Sequence, residues 1–291
     1  MLINIKYLVI TVISVFLALG IGILLGVQLD SQDIVLQQQE SLIKTMEQKY
    51  DRMSENSLAL ENEVKALQEH IQRNEMYMHN IFSDYIKDKL KGVNANVSII
   101  ETTYACSDLK HTLKNAGANI NSSILITDKV LNISDIEKNE LLEYFGAETN
   151  LNIQTFIIQR IADIITQGNQ EAANYLEEKG YIDIDGNLSA PNFVIIAGGD
   201  KEETDKPEII DLPLIKELKK AGITVIGVEA SDVPYSYIDS YKKARISTVD
   251  NVDSIIGQTS VVLIMKGHEG NFGIKKSARS LMPDLAEEEE K

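Results

Sequence analysis

Tyr7-Leu8-Val9-Ile10-Thr11-Val12-Ile13-Ser14-Val15-Phe16-Leu17-Ala18-Leu19-Gly20-Ile21-Gly22-Ile23-Leu24-Leu25-Gly26-Val27-Gln28-Leu29 carries no charged side chain, and only Tyr7, Thr11, Ser14 and Gln28 are polar. As a helix rising ~1.5 Å per residue it is about 34 Å long, enough to cross a hydrocarbon core of about 30 Å. The rest of the chain then lies on one side of a membrane, tethered through this segment.

Ala18-Leu19-Gly20 also reads as the small-residue cleavage site of a secretory signal. The apolar run nevertheless continues through Ile21, Ile23, Leu24, Leu25, Val27 and Leu29, where a signal turns polar, so the segment is expected to remain as an anchor. Lys6 precedes it; Asp30 and Asp33 follow, and the next cation is Lys44. The positive-inside bias predicts a cytoplasmic N-terminus (1–6) and a cell-membrane protein whose bulk is extracytoplasmic. Ala18, Gly22 and Gly26 recur on one face, a spacing that lets two spanning helices approach closely.

From Leu36 to about Tyr85 the sequence keeps a seven-residue repeat. One row holds Leu36, Ile43, Tyr50, Ser57, Val64, Ile71, Met78 and Tyr85; its companion holds Gln39, Met46, Met53, Leu60, Leu67, Asn74 and Ile81. No Pro or Gly interrupts the run. A narrow apolar stripe on a polar helix calls for a partner helix, while Gln39, Ser57 and Asn74 weaken the seam and set its register. The alternative is a helix folded back on its own globular domain. Continuity with the membrane helix favours a parallel homo-oligomeric stalk, with Leu60, Val64, Leu67 and Ile71 in its interface.

The chain has 28 Lys plus Arg against 44 Asp plus Glu, a net charge of -16. That balance argues against nucleic acid and against anionic head groups as partners. Cys106 is the single cysteine, so an intrachain disulfide is excluded, and His70, His79, His111 and His268 show no metal-site spacing. No nucleophile–base pair is legible, and nothing in the sequence identifies a cofactor. A binding or assembly role is therefore favoured over an enzyme.

Beyond the stalk, short β-rich runs alternate with helical ones. Strands are expected at Asn96–Thr102, Ser123–Thr127, Phe193–Ala197, Ile223–Val228, Arg245–Val249 and Ser260–Met265. Helices are expected from Ser107 to Gly117, Ile136 to Phe145, Ile153 to Thr166, Gln170 to Lys179 and Pro213 to Gly222. The alternation predicts an α/β fold. In full, a transmembrane helix (7–29) and a coiled-coil stalk (30–90) lead to a three-layer α/β domain with a mainly parallel sheet (91–282) and an acidic tail (283–291).

Ligands of such sheets bind beyond the carboxyl ends of the strands. Those ends carry Glu101, Asp200, Glu229 and Asp250. If they converge, mutual repulsion should raise some of their pKa values and favour a hard divalent cation such as Ca²⁺, Mg²⁺ or Mn²⁺ over a soft one. Strand-end loops in so acidic a chain also carry Asp and Glu by chance. Gly267, Gly270 and Gly273 in Gly267-His268-Glu269-Gly270-Asn271-Phe272-Gly273 allow either an anion-binding nest or a structural turn, with the turn favoured.

Taken together, several motifs resemble the bacterial MctB copper-transport family, which also contains SteB-type proteins tied to cell division. They are Asn4-Ile5-Lys6-Tyr7 leading into Phe16 to Gly26, Ala116-Gly117-Ala118, Val249-Asp250-Asn251-Val252-Asp253 with Gly257, and Gly270-Asn271-Phe272-Gly273-Ile274-Lys275 before Met282-Pro283. The resemblance implies copper transport or homeostasis at the cell envelope. Its other branch implies an envelope scaffold with protein partners, acting in cell division or peptidoglycan remodelling. Where such proteins often have His-Tyr in the terminal glycine loop, this chain has Asn271-Phe272, which removes a potential metal ligand.

Overall fold

The computed structural model describes residues 5–103, 107–148 and 151–285, with backbone alone over 28–35. Cys106 and the end of the acidic tail lie outside the described residues. The chain divides into two units, Met1–Glu75 and Met76–Lys291. The first is the greater part of a single helix, α1 (Ile5–Ile86). Its stretch Ile5–Val27 is the one helix among the described residues long and apolar enough to cross a membrane.

In the second unit a seven-stranded sheet runs in the order β3-β2-β1-β4-β5-β6-β7. Its strands are β1 (Asn96–Glu101), β2 (Asn119–Ile126), β3 (Ile182–Gly186), β4 (Phe193–Ala197), β5 (Thr224–Val228), β6 (Ser247–Val249) and β7 (Asn271–Phe272). All neighbours are parallel except the antiparallel edge pair β2 and β3. Alternation along each strand divides the apolar side chains between two cores, as a period of two requires. Ile100, Val194, Ile196 and Val225 enter one core; Val97, Ile99, Ile195 and Ile226 enter the other.

The first core is covered by α3 (Asp135–Tyr144), α4 (Ile153–Gln167), α5 (Gln170–Glu178), α6 (Leu212–Lys220) and α7 (Ile238–Lys243). The second lies under α2 (Ser107–Asn115), α8 (Ile255–Met265) and the last turn of α1, where Phe82 and Ile86 are buried. The domain is thus three-layered and mainly parallel, as the alternation of runs requires.

Three of the expected helices fall close to their observed bounds, and the structure shows the caps that start them. Ser134 closes a reciprocal capping box with Glu137 at the start of α3, and Asn152 and Asn169 cap α4 and α5. One strand assignment is overturned. Ser260–Met265 is not a strand but the end of α8, which is capped by Ser254, whose hydroxyl accepts from Gly257 N–H. From Gly257 to Met265 every residue is buried, so the helix shows no polar face to betray its period. The seventh strand is instead β7, inside the glycine-rich segment. β2 begins at Asn119 rather than Ser123, and β3 and α7 add elements to the expected set.

Candidate functional site

The carboxyl ends of the strands carry the four predicted acids, and the structure gives each its own partner. β1 and β4 are adjacent although β2 follows β1 in sequence, so connections leave this point in opposite directions across the sheet. At such a switch point the strand ends flank a crevice. Here it is bridged by the chain itself: Thr103 Oγ1 donates to Asp200 Oδ2 at 3.0 Å. Lys206 Nζ reaches Asp200 Oδ2 at 2.8 Å, Thr103 Oγ1 at 3.0 Å and Asp128 Oδ1 at 2.8 Å. Lys206 and Asp200 are both buried.

The network continues along the edge. Tyr237 hydroxyl lies 3.4 Å from Asp200 Oδ2 and 2.9 Å from Thr204 Oγ1, while Tyr237 N–H donates to Glu229 Oε2 at 3.0 Å. Glu229 Oε1 accepts from Ser236 Oγ and from Lys275 Nζ, each at 2.6 Å. Lys275 N–H and Ile274 N–H in turn donate to the Asp250 carboxylate at 3.1 and 2.7 Å. Glu101 stands apart on β1 and meets Lys110 Nζ of α2 at 3.1 Å.

This geometry corrects the expected cation site. Asp200, Glu229 and Asp250 share one network, but lysine ammonium groups and backbone N–H groups occupy their oxygens. Among the described residues, no three or more His, Cys, Asp or Glu side chains are grouped to hold a metal ion. The expected rise in carboxylate pKa is reversed at Asp200. Burial pushes it up, yet hydrogen bonds from Lys206, Lys201 N–H and Thr103 outweigh burial and bring it down to about 2. Burial likewise disfavours the Lys206 charge, but its bonds to Asp128 and Asp200 raise its pKa above the ordinary lysine value.

The terminal glycines also resolve into distinct roles. Gly273 has φ +136, and a Cβ there would collide with the Asp250 carboxylate. The backbone N–H groups after it do cradle an anion, and that anion is Asp250. Gly257 is similarly closed, because a Cβ would strike the Asn251 carbonyl. The Asp250-Asn251 and Gly270 to Lys275 motifs therefore lock together as structure. Gly267 and Gly270, by contrast, line an open cavity of about 790 Å³ at the opposite edge of the sheet.

Beneath the strand ends, Tyr241 and Asp211 form a fully buried pair with Tyr241 hydroxyl donating to Asp211 Oδ2 at 2.6 Å. Gly198 and Gly227 make room for the tyrosine ring, since a Cβ at either would collide with it. Burial drives Asp211 up to about 7, against the opposing bond from Tyr241, and raises Tyr241 well above the usual phenol range. The sequence pointed to the four acids through strand ends alone; Lys275 entered only as the end of the glycine-rich motif, and Lys206, Tyr237 and the Asp211–Tyr241 pair were not singled out.

Fold and motifs together define a class: an α/β sheet domain joined to a long helix whose N-terminal part is apolar enough to span a membrane. The chain belongs to the MctB family, described as copper transport outer membrane protein, whose family model matches residues 2–283. Neither the curated proteins nor the solved structures contain a match to it.

Proposed function

We propose that this chain is a non-enzymatic, single-pass envelope protein that serves copper transport or homeostasis as an assembly of copies. The match to the copper-transport family over residues 2–283 carries the copper reading. Copper is here a cargo. At the strand ends Asp200 and Glu229 are already taken by the chain's own Lys206 and Lys275, which supports a structural over an acid–base use of this edge.

Self-association is supported by the seam. Leu36, Ile43, Met46, Met53, Leu60, Val64, Leu67, Ile71 and Ile81 are all exposed in the single chain. Gly22 and Gly26 have open space where a Cβ would stand, which leaves room for a second helix. Flanking charges favour a parallel pair. Glu40, Glu47, Glu61 and Glu75 follow the companion row directly and would face one another in an antiparallel pair. In a parallel pair Lys49 meets Ser54, Asn56 meets Glu61 and His70 meets Glu75, with no like charges opposed. With Lys6 inside and Asp30 and Asp33 outside, the sheet domain is extracytoplasmic.

The exposed seam also favours the second reading, a SteB-type scaffold for cell division or peptidoglycan remodelling. Two measurements on the purified full-length chain separate the outcomes. Copper retained after dialysis, by elemental analysis, supports transport; none retained, with envelope proteins recovered in a membrane pull-down, supports the scaffold. Sedimentation should show an oligomer that Leu60→Ala with Leu67→Ala dissociates. A monomer before mutation would end the assembly reading.

A further inference from the structure

The amino ends of four adjacent strands leave a cavity of about 790 Å³ between them and the loops below. Phe193, Thr224, Ser247 and Asn271, which open β4, β5, β6 and β7, all line it. Its apolar lining comes from Phe193, Ile223, Val225, Ile246, Ile264 and Met265. Its size falls within the range of small-molecule sites, about 300–1,000 Å³.

The charge at this edge runs against the rest of the molecule. Lys219 and Arg245 line the cavity, with His268 and a single acid, Glu269. A shallow groove sharing Lys219 adds Lys216, Lys220 and Lys243 around Leu212, Ile215 and Ala244. On a chain of net charge -16 this concentration of cations beside an apolar hollow is an electrostatic anomaly. It raises the local concentration of anions and repels cations. One of these cations is also held in place: Lys219 Nζ donates to the carbonyls of Ala244 and Arg245 at 2.8 and 3.1 Å. Arg245 has φ +56, a left-handed backbone that a long side chain adopts at some cost. The turn aims this residue at the cavity rim where Asn or Gly would be less strained.

We propose that this cavity binds a small organic anion whose apolar body rests on the Phe193–Met265 lining and whose carboxylate or phosphate meets Arg245 and Lys219. The inference is independent of copper and of assembly. It assigns Gly267 and Gly270 to the loop that walls the site.

The test is calorimetric titration of the full-length chain with phenyl phosphate and 3-phenylpropionate, which carry the two candidate head groups on one apolar body. Inorganic phosphate and benzyl alcohol serve as half-ligands. At least one aromatic anion should bind saturably, and its head group then names the source. Each half-ligand should bind at least about tenfold more weakly, since both contacts are needed. Arg245→Asn suits the left-handed backbone and removes the charge, so it should cost about tenfold in affinity without unfolding the protein. Thr224→Trp should fill the hollow and abolish binding with every cation in place. No saturable heat from either aromatic anion, or an affinity unchanged by Arg245→Asn, would overturn the proposal.

Discussion

The two edges of one sheet have opposite characters. At the carboxyl edge, where folds of this class place their ligands, three acids are buried and joined to Lys206, Lys275 and backbone N–H groups. At the amino edge, strand ends of the same sheet line an open hollow rimmed by cations. The difference teaches that a strand-end carboxylate identifies a ligand site only when its counter-charge comes from outside the chain. Here the counter-charge is internal, so the usual crevice has become a clasp.

The clasp is broken most severely by Lys206→Met. It leaves the buried Asp200 without its ammonium partner and should destabilise the domain by about 3 kcal/mol, read by denaturant unfolding. Adding Asp200→Asn should recover part of that loss. An unchanged unfolding midpoint for the single variant would mean that the pair does not hold this edge closed.

A smaller loss is expected from Gly273→Ala, which drives a Cβ into the Asp250 carboxylate at φ +136. The strain should cost about 1–3 kcal/mol. Asp250→Ala in the same chain removes the collision, so if the two losses simply add, the cradle has been misread.

Acid dependence sharpens the contrast further, because two buried acids shift in opposite senses. Asp200 is lowered from 3.8 to about 2, so its stabilisation is full above the ordinary value and is lost as pH falls toward 2. Asp211 is raised from 3.8 to about 7 by burial above all, with the Tyr241 bond and the Lys206 charge opposing and Glu208 adding to the rise. Its protonated form is the one that suits the buried setting, so stability from this group is full below about 4 and declines as pH rises through 7. Asp211→Asn should flatten the decline between pH 4 and 7 in thermal melts. A decline that persists in the variant would assign it to another group.

The smallest effect is expected at the open edge. Glu269→Ala, on the exposed rim of the cavity, should leave the unfolding midpoint unchanged, because no buried partner depends on it. A large loss there would erase the distinction between the two edges.

Much of the architecture was legible because its signals are local. β1, β4 and β5 were bounded within a residue by apolar runs and turn residues, and α3, α4 and α5 began within a residue of their expected starts. Ser260–Met265 failed for a physical reason. A helix buried on every side looks the same as a buried strand when its residues are Val, Leu and Ile. β3 was missed because Ile182-Asp183-Ile184-Asp185 offers only two apolar residues at a sheet edge, and β7 because it pairs over just Asn271 and Phe272. The acids at the strand ends could be read from position, but their partners could not. Lys206 and Lys275 reach them through tertiary folding, and nothing local in the chain distinguishes these lysines from solvated ones.

The last turn of α1 has a mechanical consequence. Phe82 and Ile86 belong to the same core as β1 and α2, and the loop that follows is stitched to the end of α2 by Asp88 N–H to Asn115 and Leu90 N–H to Ala116, at 3.1 and 2.8 Å. The fully buried residues here lie off the heptad rows: Met78 and Ile81 stay exposed, and of the rows only Tyr85 packs partly against the core. A pull on the end of the helix therefore loads the sheet's own interior rather than stretching a slack leash. Tension reaching residues 76–86 would be borne by packed hydrocarbon and by two backbone hydrogen bonds in shear.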